Sequence, residues 1–460
     1  MGPAAAASLE QYLATAVERI SGWMREFGEF EPHPSLAIAS SEFDVVHNAL
    51  VDRLRENYPF FHPRYVGQML KPPHPAAVVG YLTAMLINPN NHALDGGPAT
   101  AKMEKEVVAQ LASMFGYGEH LGHLTSSGTI ANLEALFISR EIHPDKGIAY
   151  SADAHYTHSR MCHLLGVKGV AVETDAAGRM DLHALEVLMR TGDIGTVVMT
   201  AGTTGLGAID PIDRVVPPAK KYGVRIHVDA AYGGFFRIIA DDSADGVSRA
   251  PYEAIEQCDS VVIDPHKHGL QPYGCGAVIF RDPSVQKFYL HDSPYTYFTS
   301  DDLHLGEISI ECSRSGAAAA ALWTTFQLLP PTDEGLGQVL RAGRRATLDW
   351  AERIRTSDSL QLFQTPELDI LTYFPTAVSL SEVDRLSGHV LDTGMALPPE
   401  EALFVATYDV SGSGISARDI PVVTDVEHGR ILRSVLMKPE TEALVPRLHE
   451  DVQKLVASAR

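Results

Sequence analysis

Lys267 is the residue whose chemistry asks for an explanation first. It lies in Asp264-Pro265-His266-Lys267-His268, directly after the apolar run Ser260-Val261-Val262-Ile263. A short β-branched run reads as a buried strand, and Pro265 breaks the chain where it would leave a sheet. Open α/β sheets bind their ligands at the carboxyl ends of such strands. An amine placed there suits a Schiff base with an aldehyde cofactor, and pyridoxal phosphate works in this way. A surface lysine at a strand end is the plain alternative, so the choice depends on what else the chain brings to its strand ends.

Three further features fit the cofactor. Ser126-Ser127-Gly128-Thr129 opens an amphipathic helix carrying Leu133, Leu136 and Phe137. Hydroxyls, outward-pointing N–H groups and a close-approach glycine at a helix mouth make a cradle for a phosphate. Such residues also serve simply as N-caps. His155, after Asp153-Ala154 at a strand end, offers a flat ring to stack on an aromatic cofactor, or is a structural histidine. Asp229, in His227-Val228-Asp229-Ala230-Ala231-Tyr232-Gly233, ends a buried strand where an unpaired carboxylate is costly. Paired with a protonated pyridine nitrogen it would keep the ring cationic, as an electron sink requires; otherwise it caps a helix. Small Ala231 leaves room for the ring's other face. Thr203 and Thr204, after Gly202, are cofactor contacts or turn residues. The order of cradle, histidine, aspartate and lysine is harder to dismiss than any one of them.

The elements that position these residues alternate. Strand-like runs occur at 147–150, 167–172, 196–199, 225–228, 260–263 and 277–280, with helical segments such as 182–189 between several of them. Alternation of this kind predicts a mainly parallel sheet covered on both faces. Residues 8–26 read as an amphipathic helix in need of a surface, on this body or on a partner subunit. The proline-rich stretches Tyr58 to Tyr65 and Lys71 to Pro75 read as an ordered, extended arm. Pro330-Pro331-Thr332-Asp333-Glu334-Gly335 marks a boundary. Beyond it a helix over 341–355, strands at 369–374 and 403–408, a flexible Ser411-Gly412-Ser413-Gly414 turn and a final helix over 442–457 form a smaller α+β unit. The expected division is 1–75 for the N-terminal helix and arm, 76–335 for the large domain and 336–460 for the small domain.

At 460 residues there is room for that organisation, and 45% apolar with 21% charged residues is the composition of a soluble globular protein. A formal net charge of −21 opposes binding to nucleic acid or to an anionic membrane. Cys162, Cys258, Cys275 and Cys312 have neither paired nor metal-type spacing and read as reduced thiols of a cytoplasmic protein. The first residues, Met1-Gly2-Pro3-Ala4, lack the pattern of a signal peptide, and no apolar run approaches membrane-spanning length. The histidine pairs His120/His123 and His155/His158 lack a third ligand nearby, so no metal site is expected.

The motifs Ser126 to Asn132, Ala154-His155, Gly202-Thr203-Thr204, His227 to Gly233 and Asp264 to Lys267 together resemble the pyridoxal-phosphate-dependent amino-acid decarboxylases, the group of aromatic-amino-acid and glutamate decarboxylases. The likeness runs in order over roughly residues 58–440, too long for a short-motif coincidence. It implies an α/β fold of the aspartate-aminotransferase-like type (fold type I), with a mainly parallel large domain and a small C-terminal α+β domain. It also implies a homodimer with the active site at the subunit interface. By that resemblance Ser127, Gly128 and Thr129 hold the phosphate, His155 stacks on the ring, Asp229 pairs with the pyridine nitrogen, Lys267 carries the cofactor and His266 lies beside it. Thr203 and Ala231 join the cofactor contacts; Arg433 resembles the small-domain arginine that contacts a substrate carboxylate, with a structural role as its rival. His92, beside the aromatic arm, is a further candidate for substrate contact.

Two departures stand out. His268 occupies a position where many of these enzymes have tryptophan, and Asp264 to Leu270 looks closer to the microbial tyrosine/aspartate decarboxylase branch. The segment from His291 to Arg314 looks shorter than the loop that usually brings in a catalytic tyrosine, which leaves Tyr295, Tyr297 and His304 as candidate proton donors. The leading expectation is L-amino-acid decarboxylation through a quinonoid intermediate. Decarboxylation-coupled oxidative deamination, β-elimination on a cysteine-type substrate and a degenerate cofactor-binding regulator are its rivals. His268 and the short loop are expected to decide among the chemical outcomes.

Overall fold

The computed structural model describes residues 3–290 and 303–460. Strands β1 (Leu121–Thr125), β2 (Gly147–Ser151), β3 (Gly169–Val172), β4 (Ile194–Thr200), β5 (Arg225–Asp229), β6 (Ser260–Ile263) and β7 (Gly276–Phe280) form one sheet in the order β1-β7-β6-β5-β4-β2-β3. The pairs from β6 through β5, β4 and β2 to β3 are parallel. β7 runs antiparallel to both β6 and β1. β4, β6 and β7 are buried at every residue, as strands covered on both faces must be. The expected mainly parallel sheet is present, and β1 is an addition to it that the sequence pattern does not announce.

Because β7 reverses direction twice, β1 points the same way as β6. The carboxyl ends of β1, β2, β4, β5 and β6 therefore share one edge. That edge receives Ser127, His155, Thr204, Asp229 and Lys267 from five separate connections.

The second sheet, β8 (Leu360–Leu362), β9 (Ile370–Pro375), β10 (Ala406–Ser411) and β11 (His428–Val435), is antiparallel throughout in the order β10-β11-β9-β8. It packs with helices Gln338–Arg355, Leu380–Ala396 and Val445–Ser458 around a separate core that includes Trp350, Tyr373, Leu432 and Leu448. Two expectations need correction here. The strand expected from Leu403 begins at Ala406, and Ser411 to Gly414 is not a flexible turn. Residues Gly412–Ser416 form a helical turn that Ser411 caps, its Oγ accepting the Gly414 N–H at 3.0 Å.

Helix α1 (Pro3–Arg25) is followed by α2 (Ser40–Leu54), in which no residue is buried. Residues 58–74 hold no helix, as their prolines dictate, but the extended arm expected there is broken by turns and bends over 60–64 and 67–69, with His62 N–H bonding back to the Pro59 carbonyl at 2.8 Å. This arm docks on the smaller unit. Val66 donates to the Phe404 carbonyl at 2.8 Å and accepts from Val435 at 2.7 Å, while Lys438 Nζ donates to the Tyr65 and Leu70 carbonyls at 2.6 and 3.0 Å. No described helix is long and apolar enough to cross a membrane.

Trp350 is fully buried, with its ring 5.6 Å from that of Tyr373. Trp350→Ala should lower the unfolding free energy by about 3–5 kcal/mol. The shift in the denaturant midpoint of the smaller unit measures it.

Candidate active site

A cavity of about 230 Å³ opens at the shared strand edge. Ser127, Gly128, Thr129, His155, Asp229, Ala231, His266 and Lys267 all line it, so eight of the residues expected at a cofactor meet at one place. Ser127 is the N-cap of α3 (Gly128–Ile142): its backbone is extended, and its Oγ accepts the Ile130 N–H at 3.3 Å. A Cβ at residue 128 would lie 2.6 Å from Asp264 Oδ2. Glycine is therefore required for this helix mouth to sit against the turn that carries Lys267.

A buried polar chain ties α3 to the sheet. Asn132 Nδ2 donates to the Gly128 carbonyl at 2.9 Å, and its Oδ1 accepts from His227 Nε2 at 2.9 Å. His227 Nδ1 then accepts the Ser260 hydroxyl at 2.9 Å. Burial pushes the His227 ring down to about 3, which keeps it neutral.

Asp229 stands at the end of β5. Its Oδ2 accepts from His158 Nε2 at 2.8 Å, and its Oδ1 accepts the Ala231 N–H at 3.1 Å. Burial by itself would raise this carboxyl, but the His158 bond and charge, the Ala231 N–H and the Lys267 charge overturn that and hold it well below the usual carboxylate range. His158 lies on α4 (Thr157–Leu165) and is fully buried. Sequence reasoning weighed it only as half of a metal pair. The usable signal was its place three residues after His155, which puts both on one side of a helix start.

Lys267 Nζ is 3.1 Å from Asp264 Oδ2, and His266 Nε2 is 3.4 Å from the same oxygen. The other oxygen, Oδ1, is buried without a hydrogen-bond partner among the described residues. His266 Nδ1 donates to the Cys275 carbonyl at 2.8 Å, and burial pulls this ring below its ordinary value. His155 Nδ1 accepts the Thr157 N–H at 3.2 Å; burial lowers its ring too, so it meets the cavity as a neutral plane. An anion cradle, an ionised carboxylate, a neutral flat ring and a lysine amine in one cavity are the parts pyridoxal phosphate needs. The Asp264 oxygen with no partner among the described residues is a polar group that fits the polar atoms of such a cofactor.

Other expected residues fall elsewhere. Thr203 turns its hydroxyl inward, accepting the Ala208 N–H at 3.1 Å, and Thr204 lines the cavity in its place. Arg433 is spent on backbone: it donates to the carbonyls of Gly205, Thr204 and Gly67 at 2.9, 2.7 and 3.3 Å. These bonds fit the structural role, the rival of carboxylate recognition, and Arg433 does not line the cavity. His304 is buried as the N-cap of a short 3-10 turn, with Nδ1 accepting the Leu94 N–H at 3.2 Å, and it does not line the cavity. His92 packs beside it, its Nδ1 3.0 Å from the Cys312 carbonyl, and also lies outside the lining. Tyr295 and Tyr297 lie outside the described residues. His268, expected to decide the outcome of the reaction, points away from the cavity and bonds to Asp369. Asn132, Tyr156 and Asp264 line the cavity without having been given a role of their own.

This geometry defines a fold type I pyridoxal-phosphate enzyme, and similarity to known proteins narrows the class. Residues 60–373 match the pyridoxal-dependent decarboxylase conserved domain. A probable L-aspartate decarboxylase of Pyrococcus abyssi is 29% identical over 348 residues, covering 74% of this chain and 86% of that protein. An L-tyrosine decarboxylase of Enterococcus faecium is 29% identical over 390 residues, covering 64% of this chain and 63% of that one. Among solved structures, Oryza sativa TDC with PLP and tryptamine superposes with a TM-score of 0.79 at 18% identity, covering 100% of this chain and 99% of that one. Mouse CSAD does so with 0.77 at 19%, covering 99% of each. At these identities the superpositions speak for the fold alone. The chain belongs to the pyridoxal-dependent decarboxylase family and is a carboxy-lyase acting on an amino acid.

The neutral His227 has a pH signature. Below the ordinary value of 6.5 the unfolded chain takes up a proton that the folded ring refuses until about 3. The stability this group contributes is therefore complete above 6.5 and is lost as the pH falls toward 3, at up to about 1.4 kcal/mol per unit. His227→Gln should lose less stability than the native chain between about pH 7 and pH 5. Denaturant titrations at the two values give the difference.

Proposed function

We propose that Lys267 carries pyridoxal phosphate and that the cavity around it removes the α-carboxylate of an L-amino acid. The observation that supports this reading best is the ionised Asp229 facing the same cavity as Lys267 and the Ser127-Gly128-Thr129 cradle. When bound, the cofactor supplies an electron sink for the pair released as the Cα–carboxylate bond breaks. Asp229 holds a proton on the pyridine nitrogen, and His158 fixes the carboxylate that does so. Ser127, Gly128 and Thr129 take the phosphate through hydroxyls and helix-mouth N–H groups. His155 and Ala231 hold the two faces of the ring. His266, its Nδ1–H committed to Cys275, keeps Nε2 toward the cavity beside Asp264. Tyr295 and Tyr297 remain the candidates for the one proton donor to Cα. The relatives act, by their names, on L-aspartate, L-tyrosine or L-2,4-diaminobutyrate, which defines the first substrates to try.

Lys267→Ala should abolish both the visible absorbance of the bound cofactor and turnover. Asp229→Asn should still bind cofactor while kcat falls about 10²-fold or more. Amine and carbon dioxide should be the products from a panel of these amino acids. An aldehyde with ammonia and peroxide, or pyruvate with a thiol, would replace decarboxylation by one of its rivals.

The working unit in this reading is a homodimer in the cytoplasm. A 15-residue helix buries none of its residues against the described parts of this chain, and Phe27 and Phe30 before it are 80% and 86% exposed. Apolar surface of this extent marks an interaction site, and a second copy supplies the matching face. Sedimentation should find two chains per particle, and removal of residues 1–57 should shift the population to single chains.

A further inference from the structure

His268 follows the cofactor lysine, yet its ring is 1% exposed and turned into the seam between the two sheets. Both ring nitrogens face acceptors. Nδ1 is 3.0 Å from the Tyr232 carbonyl, and Nε2 is 2.8 Å from Asp369 Oδ2. The second Asp369 oxygen accepts the Tyr232 hydroxyl at 2.5 Å. Three hydrogen bonds thus close a ring through His268, Asp369 and Tyr232, and the His268 and Tyr232 side chains also meet edge to face at 4.7 Å.

The ring joins three structures. Tyr232 lines the cofactor cavity, His268 is in the turn that carries Lys267, and Asp369 immediately precedes β9 of the smaller unit. Burial alone would raise the Asp369 carboxyl, but the charge and bond of His268, the Tyr232 hydroxyl and the Lys71 amine keep it below its ordinary value. The turn needs restraint, because Leu270 adopts a φ of 61°, a left-handed conformation unfavourable for a leucine. An indole, with a single N–H, could not bond both the Tyr232 carbonyl and Asp369.

We infer that His268 and Asp369 act as one unit to position Lys267, locking the lysine-bearing turn and the Tyr232 wall of the cavity to the smaller unit. The inference rests on Lys267 being the lysine that carries the cofactor. It gives a physical reason for a histidine at this position: its two ring nitrogens face acceptors on opposite sides, where the turn must be held from both sides.

The test follows the capture of added pyridoxal phosphate by apo-protein for the native chain, His268→Phe, Asp369→Asn and the double variant. Borohydride trapping and peptide mass spectrometry locate the modified lysine, and kcat, KM and the apo-protein melting temperature are measured in parallel. Each single variant should slow capture at Lys267 and lower kcat between about 10- and 100-fold with KM little changed. The double variant should be no slower than the worse single one, as expected for a unit. Capture and kcat within about twofold of native in both singles, with or without a lower melting temperature, overturn the inference. Losses that multiply in the double variant also overturn it. Trapping of the native cofactor on another lysine overturns the cofactor assignment beneath it, so the two failures are distinguishable. Asp369→Asn is isosteric and carries the test by itself if His268→Phe does not fold.

Discussion

A carboxylate held ionised at the buried end of β5 is the constraint from which the site follows. Taking Asp229 out of water costs several kcal/mol unless donors replace the lost hydration. One of its partners is local, the Ala231 N–H in the same turn; the other, His158, comes from α4, 71 residues away in sequence. His158 reaches it because α4 begins at Thr157, two residues after His155. One helix start therefore presents the flat ring to the cavity and holds the charge behind it. Below this layer the chain Asn132–His227–Ser260 is fully paired and neutral. Unpaired charge beneath Asp229 would compete for it; the neutral network leaves its charge directed at the cavity.

The seam between the two sheets obeys a different rule. Arg433, Arg344, Arg64 and Lys438 each donate to main-chain carbonyls of a neighbouring segment. Chain segments crossing between units expose carbonyls that no strand or helix satisfies, and a buried unpaired carbonyl is expensive. Guanidinium groups meet several at once with five fixed donors. Arg433 shows the consequence. It sits at the place where a substrate-binding arginine was expected, but its donors close the Gly202-Thr203-Thr204 turn against the arm.

What the sequence reveals and what it hides divide along physical lines. Lys267 and Asp229 were legible because each follows or ends a strand-like run, and the Ser127-Gly128-Thr129 cradle because it opens a helix whose periodicity is plain; strand ends converge by topology. His304, Arg433 and Thr203 were assigned by residue type at a plausible position. Their side-chain directions are fixed by partners distant in sequence or across a turn: Leu94 for His304, Gly205 and Gly67 for Arg433, Ala208 for Thr203. His158 was hidden for the same reason, since its partner Asp229 lies 71 residues away. β1 escaped because Leu121 to Thr125 is short and its residues read equally well as the approach to the cradle. β11 and the helix at 380–396, which carry much of the smaller unit, gave no comparably isolated pattern.

The antiparallel excursion through β7 sets the distance between the two ends of the cavity. Cys275, at its start, accepts both the backbone N–H of His266 at 3.1 Å and the ring N–H of the same residue at 2.8 Å. The next residue, Gly276, lies under the cradle: a Cβ there would sit 2.7 Å from the Ser127 carbonyl carbon and 2.9 Å from the Gly128 nitrogen. One dipeptide thus braces the lysine turn with a carbonyl and admits the helix mouth by lacking a side chain. A larger residue at 276 would move the phosphate end away from the amine end. The separation is set by backbone rather than by flexible side chains, and that suits a site which must hold a rigid cofactor at both ends.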